Sequence, residues 1–578
     1  MKYSSEAESN LPLADALAAC RGAFFAVAAF TAFINILGLT GSIFMLQVYD
    51  RVLPSRSVPT LLALLGLVVV VFAIQGSLEA VRMRLLTRIG RSLDYRLTGK
   101  TYLALAEMPL MAQAPRDGLQ PVRDLDQLRS FLSSVGPTAL FDLPWMPLYI
   151  GICFAFHIWI GVTALVGATI LVSLTALTEV FSRAPSKDAS IAGGRRLAFA
   201  EATRRNAEVI RAMGMSGEFS RQWGALNTRY MELQQKGSDV TSGLGSTSRI
   251  FRMLLQSVIL AVGAYLVMNQ EATGGIIIAS SILVSRALSP VEIAIAHWKG
   301  FLAARQSWSR LSKLLASTAP GLSRTELPSP RASLSVEMLS IAPPGQQKIV
   351  VQDITFRLEA GQAVGIIGPS ASGKSSLARA IVGVWKPARG KVRLDTAALD
   401  QWDPDELGRH IGYLPQDVEL FEGTVAQNIA RFESKIDSGA VVAAASLAGI
   451  NEMILRLPEG YDSMVGDFGS MLSAGQRQRV ALARALYKEP FIVVLDEPNS
   501  NLDSDGDAAL TRAISAARKR GGIVVVVAHR ASALLGVDTI LAMMNGRAQA
   551  FGPKDEVMQK VLEPARVAPR PAKAVGEG

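Results

Sequence analysis

Cysteine is almost missing from this chain of 578 residues: Cys20 and Cys153 are its two thiols, and each sits inside an apolar run. Two such residues build neither a disulfide scaffold nor a metal-ligand spacing, and both read as small buried hydrophobes. Histidine is scarce as well, with four residues. Charged residues make up 19% and hydrophobic ones 49%, which argues against a disordered chain. One sign of charge is short: 49 acids face 59 Lys and Arg, giving +10. Such a balance first suggests nucleic acid or a membrane surface. The deficit is local, however. Residues 1–330 carry 31 basic and 21 acidic side chains, whereas 331–578 carry 28 of each. The neutral second half argues against a nucleic-acid-binding domain there.

Charge of either sign is absent from long stretches of the first half. Gly22 to Tyr49 and Ser57 to Leu78 contain no Asp, Glu, Lys or Arg. About 20 such residues in a helix cross the ~30 Å hydrocarbon core of a bilayer. Leu143 to Thr178 is a third uncharged run, too long for one crossing. It reads as a hairpin turning near His157–Gly161, with Trp159 at interface depth. Met253 to Gln270 makes a fifth span. Gly274 to about Ala296 makes a sixth, interrupted by Arg286, Pro290 and Glu292.

The basic residues set the orientation. Residues 82–130 hold nine Lys and Arg, and 183–249 hold eleven. Only Arg51 and Arg56 lie in a short loop on the other side. Both long stretches are therefore expected in the cytoplasm, with both termini. These two stretches carry nine of the ten excess charges, so the basic pI is mainly a topology signal, with contact to anionic lipid headgroups as a second reading. Residues 1–20 lack a basic start before an apolar core, so no cleaved signal peptide is expected. Arg82–Leu110 and Arg195–Gln235 are rich in Ala, Leu, Arg and Glu, which predicts helices extending well beyond the bilayer. Ionisable residues at membrane depth usually face a cavity or a partner. Arg286, Glu292 and Asp142 are read either as a polar lining or as helix-end residues.

Residues 316–332, rich in Ser, Pro and Thr, read as a linker to a second domain over 333–562, with a disordered tail at 563–578. Within that domain Ala363–Ile367 is a short apolar strand followed by Gly368-Pro369-Ser370-Ala371-Ser372-Gly373-Lys374-Ser375-Ser376. This fits the G-x-x-x-x-G-K-[ST] phosphate loop: backbone N–H groups wrap phosphates, Lys374 pairs with the β/γ-phosphates and Ser375 with Mg²⁺. Phe491–Leu495 is a buried strand ending in Asp496 and Glu497. Asp496 is placed for the Mg²⁺ shell and Glu497 to polarise an attacking water. Ile523–Ala528 is a third buried strand, ending in His529.

Leu472-Ser473-Ala474-Gly475-Gln476 resembles the LSGGQ signature of the ATP-binding-cassette (ABC) ATPases, with Ala474 in place of the first glycine. The resemblance covers 333–560 in the family's order. It implies Gln416 as the Q-loop glutamine, at the catalytic centre and the metal shell, Ser500–Asp503 as the D-loop and His529 as the switch histidine. In that family two cassettes sandwich two ATPs, and Ser473, Gly475 and Gln476 of one face the phosphates held by the other. A single cassette thus implies a homodimer. There is one departure: no Phe, Tyr or Trp lies between Glu337 and Thr355, where the family usually stacks adenine, and the chain has Pro343-Pro344 there.

The fold class implied is an all-α six-helix transmembrane domain of exporter type, over 21–315, followed by an α/β phosphate-loop ABC nucleotide-binding domain. Short transverse helices at 116–130 and 206–217 are expected to dock on a cassette. Met45–Pro54, Arg123–Arg129, Phe141–Pro147, Arg205–Gly214, Tyr413–Phe421 and Asp496–Asp503 resemble the PrtD-type branch of the type I secretion ATPases. That resemblance implies a bacterial inner-membrane ATPase using ATP and Mg²⁺. It would export unfolded metalloproteases, lipases, haemophores or Ca²⁺-repeat proteins carrying an uncleaved C-terminal signal. Its partners would be a periplasmic adaptor, an outer-membrane channel and the secreted protein, and the N-terminal peptidase domain of other secretion ATPases would be absent. Rival readings are an exporter of lipid or small molecules, and an ATP-gated channel or regulator.

Overall fold

The computed structural model describes residues 11–110, 118–317 and 327–562, and divides them into two compact units that part near residue 319. The tail at 563–578 lies outside the described residues, as do positions 318–326 of the linker.

The first unit is helical. In chain order it comprises α1 (Leu11–Ala18), α2 (Arg21–Leu37), α3 (Thr40–Gln47), α4 (Val58–Glu107), α5 (Gln120–Leu132), α6 (Gly136–Asp142) and α7 (Met146–Phe156). It continues with α8 (Ile158–Arg205), α9 (Ala207–Ala212), α10 (Ser216–Met268), α11 (Gly274–Ala296) and α12 (Trp298–Ser317). Among the described residues, six helical segments are long and apolar enough to cross a membrane, as the uncharged runs predict. The 50 residues of α4 span about 75 Å at ~1.5 Å each, more than twice a hydrocarbon core, so the helical extensions are real. Ser57 starts this helix by accepting from the Thr60 N–H, with Pro59 in the first turn.

The hairpin turns where expected. His157 has extended backbone and accepts from the Trp159 N–H through Nδ1 at 3.3 Å, capping α8. A Cβ on Gly161 would stand 2.3 Å from the Phe154 ring, so the turn needs that glycine. Pro290 lies inside α11 without ending it, its freed backbone tolerated among packed helices.

Several polar side chains inside the unit are paired. Arg82 Nη1 donates to both carboxylate oxygens of Asp142, at 3.1 and 3.3 Å. Asn35 donates to the same carboxylate at 2.9 Å, and the Tyr149 hydroxyl to the Asn35 carbonyl at 2.8 Å. The network ties α2, α4, α6 and α7 together. Glu292 is ion-paired with Arg252 of α10, and Arg252 also donates to Ser285, which answers the charge of Glu292 within the helix pair. Arg286 is partly buried.

The transverse helix expected over 116–130 is corrected by the structure. Positions 116 and 117 lie outside the described residues, and α5 packs along α4 and α12 instead. Its Leu125 and Leu128 join Leu93 and Leu97 of α4 and Leu311 of α12 in one apolar cluster. Asp124 of α5, 2% exposed, takes a two-pronged contact from Arg310 at 2.5 and 2.9 Å, plus the Ser307 hydroxyl. The second candidate fares differently. The chain breaks at Asn206, makes the single turn and a half of α9, and restarts at Ser216, with Val209 50% and Met213 70% exposed.

At the opposite ends of the spans, a five-residue π-helical turn at Val48–Val52 places Asp50 over the start of α11. Thr273, the residue before that helix, makes no side-chain cap of its own. Asp50 supplies one from a distance, accepting the Thr273 hydroxyl at 2.7 Å and the Gly275 N–H at 2.9 Å. Replacing Asp50 by Ala is expected to cost about 1–2 kcal/mol of stability, with Asn restoring part of it. Thermal unfolding of the detergent-purified variants measures this; an unchanged midpoint for Asp50→Ala would refute the role.

The second unit is α/β. Strands β1 (Ser333–Ile341), β2 (Val351–Glu359), β4 (Arg389–Leu394) and β5 (Ala397–Ala398) form an antiparallel sheet in the order β2-β1-β4-β5. A six-stranded sheet holds β3 (Ala363–Ile367), β6 (Ile411–Leu414), β7 (Ile492–Asp496), β8 (Ile523–Val527), β9 (Thr539–Met544) and β10 (Arg547–Pro553), in the order β10-β9-β3-β8-β7-β6. All but the β10–β9 pairing are parallel. Every residue of β7 and β8 is buried, which explains their unbroken apolar runs. Helices α13 (Lys374–Ile381), α14 (Ala474–Leu486) and α15 (Ser504–Lys519) carry the remaining motifs.

Candidate functional site

The parallel strands end together along one edge, where such sheets bind ligands. Ile366 of β3 and Asp496 of β7 both stand beside Val527 of β8, and Leu414 of β6 beside Leu495. The residues that follow these positions are the phosphate loop, Glu497, His529 and Gln416, which the sequence scatters over more than 150 positions.

The loop from Gly368 to Gly373 links β3 to α13. A Cβ on Gly368 would stand 2.2 Å from the Met543 carbonyl, and one on Gly373 would stand 2.7 Å from Val351 and 3.0 Å from the Val350 carbonyl. Both glycines also have positive φ, as does Ala371. Pro369, Ser370 and Ala371 form the exposed rim, whereas Ser372 is buried with its Oγ unpartnered. Lys374 is 5% exposed and donates to the carbonyls of Gly368 and Pro369 at 2.9 and 2.8 Å. Its burial pulls the ammonium below the ordinary lysine range, opposed by the carboxylates of Glu497 and Asp496. Ser376 follows in the first turn of α13.

Ser375 Oγ donates to Asp496 Oδ1 at 3.1 Å. The other oxygen of that carboxylate, Oδ2, is buried without a partner. Burial raises the Asp496 pKa above the usual carboxylate value, partly offset by the Ser375 hydrogen bond. A buried, half-satisfied carboxylate beside a hydroxyl is a hard oxygen donor set, and it fits Mg²⁺.

Glu497 continues the ladder through its N–H to the Val527 carbonyl at 3.0 Å, then turns with φ +50°. That left-handed turn is unusual for a residue with a Cβ. Its Oε1 lies 3.1 Å from His529 Nε2, so the structure brings together the expected base and the expected switch histidine. Gln416 is exposed two residues beyond β6. Its neighbours Pro415 and Asp417 line a groove of about 390 Å³ with Phe421, Phe432 and Arg484.

The signature forms the start of α14. Ser473 and Gln476 make a reciprocal capping box: the Ser473 hydroxyl accepts the Gln476 N–H at 3.3 Å, and the Gln476 amide oxygen accepts the Ser473 N–H at 2.8 Å. Ser473 and Ala474 are exposed, which leaves room for the extra methyl at Ala474. Among the described residues no hydrogen bond joins Ser473, Gly475 or Gln476 to the phosphate loop of the same chain. Asp503 is also held apart from it. It caps α15, accepting from the Gly506 N–H, and pairs with Arg479 at 2.6 Å.

The turn between β1 and β2 contains Pro343, Pro344 and the half-exposed Ile349, and its Val350 carbonyl borders Gly373. Aliphatic rather than aromatic surface thus stands next to the phosphate loop. Sequence reasoning missed Gln478, a buried amide that bonds to the backbone after Glu497. Its one sequence signal is its place one turn after Gly475 on the same helix face.

Comparison with known proteins agrees with this geometry. The family profile described as ABC transporter matches residues 351–500, and that of the ABC transporter transmembrane region matches 24–290. The chain is 57% identical over 570 residues to the type I secretion system ATP-binding protein PrsD of Rhizobium meliloti (strain 1021), covering 98% of each chain. It is 28% identical to the cyclolysin secretion/processing ATP-binding protein CyaB of Bordetella pertussis, over 91% of this chain and 74% of that one. It is 26% identical to the exotoxin translocation ATP-binding protein PaxB of Pasteurella aerogenes, over 93% of this chain and 76% of that one. A solved bacterial Atm1-family ABC exporter with ATP bound superposes with a TM-score of 0.81 at 21% identity, over 94% of this chain and 97% of that one, and so shares the fold. The chain is therefore a multi-pass membrane protein of the ABC transporter family, a type I secretion exporter whose ATPase drives transport.

Proposed function

We propose that this chain acts as a homodimer in the bacterial inner membrane, with its nucleotide-binding domain in the cytoplasm. There it moves an unfolded polypeptide with an uncleaved C-terminal signal through a periplasmic adaptor and an outer-membrane channel. The observation that carries the reading is the split ATP site. Phosphate loop, Asp496, Glu497 and His529 converge at one sheet edge, while the signature serine stands exposed on the helix start of α14. A second copy completes the site by presenting that helix start to the phosphates, where its N–H groups favour negative charge. In this reading Ser473, Gly475, Gln476 and Asp503 act on the partner's nucleotide.

Ser375 and Asp496 would hold Mg²⁺, joined by Gln416 from the neighbouring strand end. When bound, the ion neutralises charge developing on the β- and γ-phosphates. Glu497 accepts a hydrogen bond from the attacking water and takes its proton as the oxygen adds to the γ-phosphorus and the bond from that phosphorus to the bridging oxygen breaks, so that ADP and inorganic phosphate are the products. His529 holds the Glu497 carboxylate in position, and Lys374 the phosphates. The groove beside Gln416 offers exposed aromatic surface at Phe421 and Phe432, and the break around α9 offers exposed Val209 and, as its C-cap, Met213. The spans then alternate between inward and outward access.

The 57% identity to a type I secretion system ATP-binding protein supports a protein as cargo; in this reading the cargo is of the metalloprotease, lipase, haemophore or Ca²⁺-repeat class. The test compares proteins in the medium of a gene-deletion strain and its parent. At least one large extracellular protein with an intact C-terminus is expected to vanish and to return on complementation. If the two media match, the protein cargo is refuted and the lipid or small-molecule reading gains.

A further inference from the structure

Gln478 stands one turn beyond Gly475 on α14 and is 2% exposed. Its amide is used from both ends. Nε2 donates to the Pro498 carbonyl at 2.7 Å and lies 3.2 Å from both the Glu497 carbonyl and the Ser500 hydroxyl. Oε1 accepts the Asn501 N–H at 3.0 Å. Two neighbours extend the seam. The Asn501 carbonyl lies 2.8 Å from where a Cβ on Gly475 would stand, and Arg479 holds Asp503 at 2.6 Å. Positions 475, 478 and 479 share a helix face, so the whole first turn and a half of α14 is fastened to the segment 497–503.

A fully satisfied buried amide of this kind is rigid, because moving either side breaks several hydrogen bonds at once. Its two sides serve different phosphates. The segment it grips begins with the Glu497 backbone, which aims the base at the nucleotide of its own chain. The helix it belongs to begins with Ser473, which faces the partner's nucleotide in the homodimer reading on which this inference rests. We propose that Gln478 is a positioning residue that locks the signature helix, which faces the partner's ATP, to the Glu497 segment of its own chain, so that each holds the other in place and the two sites fire as a unit. It touches neither nucleotide.

The test uses full-length chains carrying two different affinity tags, co-expressed and purified through both. One protomer bears Glu497→Gln, which leaves a single working site whose base comes from the other protomer and whose signature comes from the Glu497→Gln protomer. Gln478→Asn, which keeps the amide but withdraws it by one methylene, is then placed in either protomer. Both placements are expected to lower kcat by about 10- to 100-fold with little change in KM for ATP, as for a small misplacement of reacting groups. If turnover falls only when the change sits beside the intact Glu497, or in neither placement, the coupling is overturned. Gln478→Glu, equal in length and keeping the acceptor for the Asn501 N–H but not the donors, is the second variant should Gln478→Asn lower the yield. A merely structural staple would lower the unfolding temperature and leave kcat per folded dimer unchanged in both variants, which also overturns the proposal. Failure to recover any two-tag dimer would instead overturn the homodimer reading, and this inference with it.

Discussion

Replacing Glu497 by Gln is expected to abolish ATP hydrolysis while leaving ATP binding intact. The two halves of that result have separate physical origins. In the proposed reading, binding comes from the backbone cradle between Gly368 and Gly373, from Lys374 and from the Asp496–Ser375 pair, none of which the substitution replaces. Hydrolysis needs a group that takes a proton from water, and an amide is no base. The loss expected for a positioned general base is about 10²- to 10⁴-fold in kcat. The amide keeps the size and polarity of the side chain, and the 3.1 Å contact with His529 survives as an ordinary hydrogen bond, so the strand end keeps its shape. Phosphate release and equilibrium nucleotide binding on the purified variant report the two halves. Undiminished turnover would remove Glu497 as the base. The contact between Glu497 and His529 also bears on the channel reading, since opening a gate requires binding more than turnover, and this site is equipped for turnover.

The second large effect is structural. Asp142→Ala leaves the Arg82 guanidinium buried between α2 and α4 with its carboxylate gone, and removes one of the two acceptors of the Asn35 amide. Removing one member of a buried ion pair costs about 3–5 kcal/mol, because the remaining charge is neither solvated nor paired. The double replacement Arg82→Met with Asp142→Leu removes both charges and is expected to recover most of the loss. Thermal unfolding and the monodisperse fraction in detergent measure both variants. A single variant as stable as the wild type would show that the pair contributes nothing.

What could be read in the sequence was whatever local chemistry writes down. Span six was bounded at 274–296 by apolar residues, and α11 occupies the same range. The turn at His157 followed from the length of one uncharged run, and the phosphate loop from a strand, two glycines and a lysine in a row. The misses share a cause: their partners are remote. Arg82 was counted among the basic residues of an extension, because nothing local reveals that Asp142, 60 positions on, holds it. The transverse helix assigned to 116–130 failed for the same reason. A polar helix carrying Arg123, Asp124 and Asp126 looks solvated until Arg310, 186 positions away, is found on Asp124. Gln478 was hidden because buried amides have no periodic signature, only partners. The opening charge imbalance proved informative in another sense. The side chains that produce it lie along α4, α5, α8, α9 and the first part of α10, the extensions beyond the apolar spans.

The Asp50 cap has a consequence for the order in which the membrane unit is made. Asp50 leaves the ribosome 223 residues before Thr273, so the first span must wait, its carboxylate unmatched, until the last span arrives. The contact between the first span and the sixth is therefore a late event in the making of the membrane unit. A nascent chain stopped before Thr273 still lacks the partners of this carboxylate.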